Sequence, residues 1–229
     1  MSFLDRRDAG RHLAEKLTSY ASRDNVVVLA LPRGGVPVGY EVAKALRAPL
    51  DVFVVRKLGV PGDEEFAFGA IASGGIRIRN DDLVARLGIP TEILDRVEAR
   101  ERAELARREW VYREGRPPRD VGGKVAILVD DGLATGASML AAVTALRERD
   151  PAEIVAAVPV APPETCRALS ERVDRMICAL TPRPFGSVGE WYRNFEQTGD
   201  EEVRSLVARA NAAAPSPARI APAEDGELR

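Results

Sequence analysis

The sequence predicts an α/β fold: a doubly wound open parallel sheet of about five strands, with a helical insertion and a C-terminal helix. Three observations carry this reading. Val26–Leu31, Leu50–Val55, Val125–Val129 and Ile154–Val160 are short, almost continuously apolar runs, as expected of strands buried on both faces of a parallel sheet. Segments with helical spacing of apolar residues alternate with them. The first alternation, from Val26 to Val55, is a strand–loop–helix–strand unit, whose crossover is right-handed almost without exception.

The elements follow in order. Asp8 to Ala21 carries Ala9, Leu13, Leu17 and Tyr20 at helical spacing, with His12 on the polar side. Val26–Leu31 is the first strand, Pro32-Arg33-Gly34-Gly35 a loop signal, and Val36 to Leu46 a helix. Leu50–Val55 is the second strand and runs directly into Arg56-Lys57, while Leu58 to Phe66, with its Gly, Pro and acids, reads as a loop. Gly69–Ala72 and Ile76–Ile78 are short strands joined through Ser73-Gly74-Gly75 in a hairpin. Asp81 to Glu114 is helical by composition, broken near Gly88-Ile89-Pro90. Its second part has a weak apolar stripe through Leu94, Val97, Leu105 and Trp110, the pattern of a solvated helix linking two strands, with a protruding cover over the active site as the alternative.

Val125–Val129 is the third strong strand and closes on Asp130-Asp131. A helix over Gly136–Arg149, a strand over Ile154–Val160, a helix over Pro163–Arg172 and a strand over Arg175–Leu180 complete the alternation. Phe185 to Phe195 is an aromatic loop, and Asp200–Asn211 a terminal helix opened by acids, which suit a helix N-terminus. Residues 1–211 therefore read as one domain with an insertion at 81–114, and residues 212–229, rich in Ala and Pro, as a disordered tail.

At 229 residues the chain can bury a core without a disulfide or metal staple. Its 33 Lys and Arg nearly cancel 35 Asp and Glu, which speaks against a general nucleic-acid binder. A single histidine all but excludes a His-based metal site or a Ser-His-Asp triad. Cys166 and Cys178 lack metal-ligand spacing and read as two reduced core residues. No apolar run reaches the roughly 20 residues of a membrane span, and Met1 to Arg7 has no signal-peptide core. A cytoplasmic protein without a membrane partner is expected.

The segment from Val125 to Ser138 bears the chemistry. A buried strand delivers two carboxylates to its C-terminal edge, where ligands bind in such sheets. A loop of small residues then opens a helix, and its backbone N–H groups, with the hydroxyls of Thr135 and Ser138, form a phosphate cradle. Carboxylates would repel a bare phosphate. They fit a ligand that also carries hydroxyl donors a few ångströms away, as ribose 5-phosphate does.

This segment resembles the signature of type I phosphoribosyltransferases, and the likeness extends over roughly residues 8 to 180. The resemblance implies the type I phosphoribosyltransferase fold and the binding of 5-phosphoribosyl pyrophosphate. It gives Asp130 and Asp131 to the ribose hydroxyls and Thr135, Gly136, Ala137 and Ser138 to the 5-phosphate, with Leu133 and Ala134 also substrate-binding. Arg33-Gly34-Gly35 matches the pyrophosphate loop, which in the family often holds a strained or cis peptide, and Arg56-Lys57 would add charge there. Gly62–Gly69 lies where the family has a mobile cover, with Glu65 as candidate general base or metal contact. Phe185, Trp191, Tyr192 and Phe195 either stack the acceptor heterocycle or pack the terminal helix. Ala134 stands where enzymes for 6-oxopurines usually carry an acid, against hypoxanthine or guanine as acceptor.

The implied reaction is displacement of pyrophosphate by a nitrogen nucleophile, with Mg2+ delivered by the substrate and no protein-only metal site. The acceptor is not identified by the sequence, and the family allows a homodimer. The same residues would serve a non-catalytic sensor of nucleotides or 5-phosphoribosyl pyrophosphate. A dinucleotide-dependent dehydrogenase ranks last, because the GxGxxG turn is missing after the first strand.

Overall fold

A computed structural model describes residues 2–213, without the side chains of 64, 65 and 213. Five parallel strands form the main sheet: β1 (Val26–Ala30), β2 (Leu50–Val52), β6 (Val125–Val129), β7 (Glu153–Val160) and β8 (Arg175–Leu180). Their order across the sheet is β2-β1-β6-β7-β8. Alternate side chains enter opposite layers, as a pleated strand requires. Val26, Val28, Ala30, Val125, Ile127 and Val129 pack with α1 (Arg6–Glu15), α2 (Gly35–Leu46) and α7 (Asp200–Ala213). Val27, Leu29, Ala126 and Leu128 pack instead with α5 (Ala137–Arg147) and Leu169 of α6 (Pro163–Ser170). Both faces are covered, which is why these runs are apolar at every position. Of the expected tail, 212 and 213 extend α7, and the remainder lies outside the described residues.

Several expectations are corrected. The first helix starts at Arg6 rather than Asp8, because the Asp5 side chain caps it by accepting from the Asp8 N–H at 2.8 Å. The second parallel strand stops at Val52, and Arg56-Lys57 belongs to a different element. The chain turns after Phe53, whose N–H donates to the Ala30 carbonyl at 2.9 Å. It then enters a separate antiparallel sheet of β3 (Val55–Val60), β4 (Asp63–Ala72) and β5 (Ile76–Arg79). The stretch read as a loop, Leu58 to Phe66, is thus mostly strand around a turn at Pro61-Gly62. Gly62 supplies the positive φ of 91°, and backbone pairing with register shifts at Leu58/Gly59 and Gly59/Val60 needs no apolar pattern.

The insertion comprises α3 (Asp81–Leu87) and α4 (Thr91–Arg113), divided where the sequence indicated. Its buried stripe runs Leu94, Glu101, Leu105, Tyr112, while Trp110 is 70 % exposed. The true stripe was hidden because a carboxylate occupies one of its positions. Glu101 is buried with Arg56 donating to it through Nε at 2.7 Å. At the end of α4, Arg113 is itself buried and donates to Asp51 Oδ1 at 2.9 Å and to the Val52 carbonyl at 2.7 Å.

Cys166 and Cys178 are joined in a disulfide rather than reduced. Helix α6 packs back over the strand that follows it, so two residues 12 apart in sequence meet across that layer.

Candidate functional site

Strand order reverses beside β1, with β2 on one side and β6, β7 and β8 on the other. In such sheets a crevice opens at this point beyond the strands' carboxyl ends. The Leu31 N–H donates to the Val129 carbonyl at 2.8 Å as the last rung between β1 and β6. Beyond it the two chains part, one into Pro32-Arg33-Gly34-Gly35 and α2, the other into Asp130-Asp131-Gly132 and α5.

The two branches stay in contact because glycine leaves room. A Cβ on Gly34 would fall 2.0 Å from Asp131 Oδ2, and one on Gly35 would fall 2.7 Å from the Val129 carbonyl oxygen and 2.9 Å from Asp130 Cα. The Pro32–Arg33 peptide is cis. Gly35→Ala is expected to push α2 off β6, since backbone atoms on both sides cannot yield. A loss of about 1–3 kcal/mol, several degrees in Tm, should be seen by thermal denaturation; an unchanged Tm would contradict the close approach.

The carboxylates are differently held. Asp130 Oδ1 accepts from the Asp131 N–H at 2.8 Å. Asp131 Oδ2 accepts from Arg6 Nε at 2.7 Å, and the Tyr192 hydroxyl donates to the Asp131 carbonyl. Burial raises both carboxyl pKa values above the ordinary 3.8, Asp130 well above it with the neighbouring Asp131 charge adding to the effect, while Arg6 opposes the rise at Asp131. Burial, with the Asp131 charge second, also pushes the Tyr192 hydroxyl up.

The loop to α5 presents main chain. Ala134, Thr135, Ala137 and Ser138 are exposed, whereas Leu133 is buried and its N–H donates to the Val160 carbonyl at 3.0 Å. Gly136 caps α5 at φ 75° and has no side chain to cap it; the Ala137 N–H donates to Thr135 Oγ1 at 3.4 Å, and the first-turn amides have no intrahelical partner. Thr165 of α6 donates to the Ala134 carbonyl at 2.8 Å and props the loop from below. A helix N-terminus, two carboxylates and a glycine turn thus follow the carboxyl ends of the neighbouring strands β1 and β6.

Comparison with known proteins shows the family. Residues 62–190, more than half of the chain, match the family model described as the phosphoribosyl transferase domain. The chain belongs to that family. A Mycobacterium tuberculosis H37Rv protein provisionally named a phosphoribosyl transferase is 45 % identical over 227 residues, 99 % of this chain and 51 % of the relative. An equivalent protein from strain CDC 1551 matches to the same extent. The chain therefore spans about half the length of the curated relatives it matches. The crystal structure of TT1426 from Thermus thermophilus superposes with a TM-score of 0.81 at 41 % identity, covering 91 % of this chain and 99 % of that one.

Other sequence candidates in this phosphoribosyl transferase domain sit differently. Arg33 points toward α7, its Nη1 3.6 Å from Asp200 Oδ1. Asp200 also accepts from the Tyr112 hydroxyl at 2.8 Å; burial and this contact push that hydroxyl up to about 12. Arg56 and Lys57 lie on β3, and the Arg56 guanidinium is taken up by Glu101, so the pair does not end a parallel strand as expected. Glu65 falls on β4, and its side chain lies outside the described residues. Phe185 is stacked on Trp191 with centroids 6.5 Å apart. Tyr192 and Phe3 are buried together beside Val160. Phe3 and Leu4 run alongside 191–194, with the Phe3 N–H donating to the Trp191 carbonyl at 2.8 Å and the Asn194 N–H to the Leu4 carbonyl at 2.9 Å. The aromatic loop thus packs on the N-terminal segment.

Arg6 was missed at the sequence level, and Tyr192, expected only as an aromatic face, in fact donates its hydroxyl to the Asp131 carbonyl. Arg6 lies 125 positions from Asp131, and no local pattern announces such a pairing.

Proposed function

We propose that this protein binds 5-phosphoribosyl pyrophosphate in the crevice between β1 and β6 and transfers its phosphoribosyl group to a nitrogenous acceptor. The observation carrying this reading is the approach of the Asp130-Asp131 pair to Gly34 and Gly35, beside the glycine-capped start of α5. A sugar with an anion at each end matches that arrangement: phosphate at the α5 amides, hydroxyls at the carboxylates, pyrophosphate at the glycine turn.

The chemistry follows from charge. The bond from the anomeric carbon to the pyrophosphate oxygen breaks, that oxygen keeps the electron pair, and the acceptor nitrogen forms the new bond before losing its proton. Positive character on the ribose is stabilised by Asp130 and Asp131; negative character on the leaving group is met by the glycine-turn amides and Arg33. Lys57 and Arg56, the latter held by Glu101, are further candidates for the leaving group. Glu65 remains the candidate base.

Among the described residues no cluster of three or more His, Cys, Asp or Glu side chains is arranged to hold a metal. Mg2+ would be carried by the pyrophosphate oxygens and water, and when bound it would neutralise the leaving charge.

The test is pyrophosphate release from 5-phosphoribosyl pyrophosphate against a panel of bases and amines. Release with one acceptor supports transfer; tight binding with no release across the panel makes the protein a sensor. Arg33→Ala is expected to weaken pyrophosphate binding about 10- to 100-fold, the loss of one charge-assisted contact, with ribose 5-phosphate nearly unaffected. Equal losses for both ligands in calorimetry would contradict the division of roles. The exposed Arg33–Asp200 contact should matter little to stability.

A further inference from the structure

Helix α1 buries Ala9, Gly10, Leu13 and Ala14 against the core, and Arg6 takes no part in that packing. Its side chain is nonetheless only 12 % exposed. The guanidinium donates from Nε to Asp131 Oδ2 at 2.7 Å and from Nη1 to the Glu196 carbonyl at 2.6 Å. It also lies over the Phe195 ring, 3.9 Å from the centroid. A Cβ on Gly34 would be 3.1 Å from Arg6 Nε, so the side chain lies where the glycine turn meets the aspartate pair. Its origin is fixed as well, because residues 3–4 are hydrogen-bonded along 191–194.

Burying a guanidinium this deeply is unfavourable unless it is paired and hydrogen-bonded, as Arg6 is by Asp131 and the Glu196 carbonyl. We propose that Arg6 is a positioning residue for the ribose site: it holds one oxygen of Asp131 in a fixed orientation and so presents the other to a ribose hydroxyl. This rests on the functional reading above and extends it to a residue outside the phosphoribosyltransferase signature. Aromatic face, backbone carbonyl and carboxylate hold the planar fork from three directions, a geometry that an ammonium cannot reproduce. The charged groups facing Asp131 are Arg6 and Asp130, with the Tyr192 hydroxyl alongside. Arg6 is the cation that opposes the rise in the Asp131 pKa.

Arg6 lines a cavity of about 170 Å³ together with Pro37, Asn194, Thr198 and the acids Asp5 and Glu202. Removing the side chain therefore opens a path by which a small guanidinium ion can enter, and this permits a test by chemical rescue. Wild type, Arg6→Ala and Arg6→Lys are titrated calorimetrically with ribose 5-phosphate from mildly acidic to mildly alkaline pH, each after its fold is checked by circular dichroism. Arg6→Ala should bind about 10- to 100-fold more weakly, with the pH midpoint for binding moved upward. Ethylguanidinium should restore much of the affinity and ethylammonium should not. Arg6→Lys should keep the wild-type midpoint but bind about threefold or more weakly. Wild-type affinity and midpoint in Arg6→Ala overturn the proposal. Should Arg6→Ala not fold, wild-type affinity in Arg6→Lys overturns it alone. Failure of the wild-type protein to bind ribose 5-phosphate overturns the functional reading instead, so the two failures are distinguishable.

Discussion

Asp130→Asn combined with Asp131→Asn should remove measurable ribose 5-phosphate binding while the protein stays folded. Each carboxylate offers a charge-assisted hydrogen bond to a hydroxyl, about 1.5–3 kcal/mol. Losing two corresponds to roughly 100- to 10,000-fold in Kd. The stability of the single variant Asp130→Asn should move the other way. Asp130 has its pKa raised in the folded protein, so its proton is held more tightly there than in the unfolded chain. Its favourable contribution is complete below the ordinary value of 3.8 and disappears as pH rises through the elevated value. Asp130→Asn carries no charge to desolvate. Its Tm should exceed that of wild type above this window, and the gap should close as the pH falls through it. For the same reason ribose 5-phosphate should bind wild type more tightly as pH rises through the elevated value. Unchanged affinity in the double variant would remove the basis for the site. A Tm gap that does not depend on pH would show that Asp130 is not held at a cost.

Arg113→Ala should produce the largest loss of stability of any single substitution considered. Asp51 and Arg113 are each 4 % exposed. The guanidinium joins Asp51, the Val52 carbonyl, Ser73 and Glu109, and Ser73 Oγ in turn accepts from the Val54 N–H at 2.8 Å. One side chain thereby ties the insertion helix to the edge of the main sheet and to the β4–β5 hairpin. Removing it strands the Asp51 carboxylate, whose remaining donors are the Val52 and Arg119 N–H groups. Breaking a buried pair in this way costs about 3–5 kcal/mol, a large part of an ordinary domain's stability. Arg7 and Glu202 make a useful contrast at 3.9 Å and about two-fifths exposed; losing that pair should change stability by less than about 1 kcal/mol. Chemical denaturation of both variants gives the comparison. Exchanging Asp51 and Arg113 together for apolar residues should cost less than the sum of the two single losses, because no charge is then left unpaired. Additive losses would mean that the two side chains act independently.

These two sites were unequally visible in advance. Asp130, Asp131 and the following loop form one contiguous run after an apolar strand, so local sequence was enough to draw attention to them. Asp51 sat unnoticed in the second apolar run and Arg113 in a charged helix. Nothing within a few residues of either distinguishes them from solvated charges. Glu101 misled in the same way: as a polar residue in the buried stripe of α4, it shifted the apparent apolar face toward Trp110. The antiparallel sheet was legible only in its hairpin half, because Pro61, Gly62 and the acids around them concealed strands held by backbone pairing. The cysteines appeared unrelated because their proximity depends on how α6 packs against β8.

By itself the sequence determined the parallel sheet, the order of its elements and the acidic strand end followed by a small-residue loop, since apolar runs and turn chemistry act over a few neighbouring residues. Tertiary structure alone decided that Arg6 reaches Asp131, that Glu101 takes up Arg56, that Arg113 is buried on Asp51, and that the aromatic loop lies on Phe3. Those pairings are between charges and rings far apart along the chain. Whether such a group ends in water or against a partner depends on which surfaces the packed layers bring together.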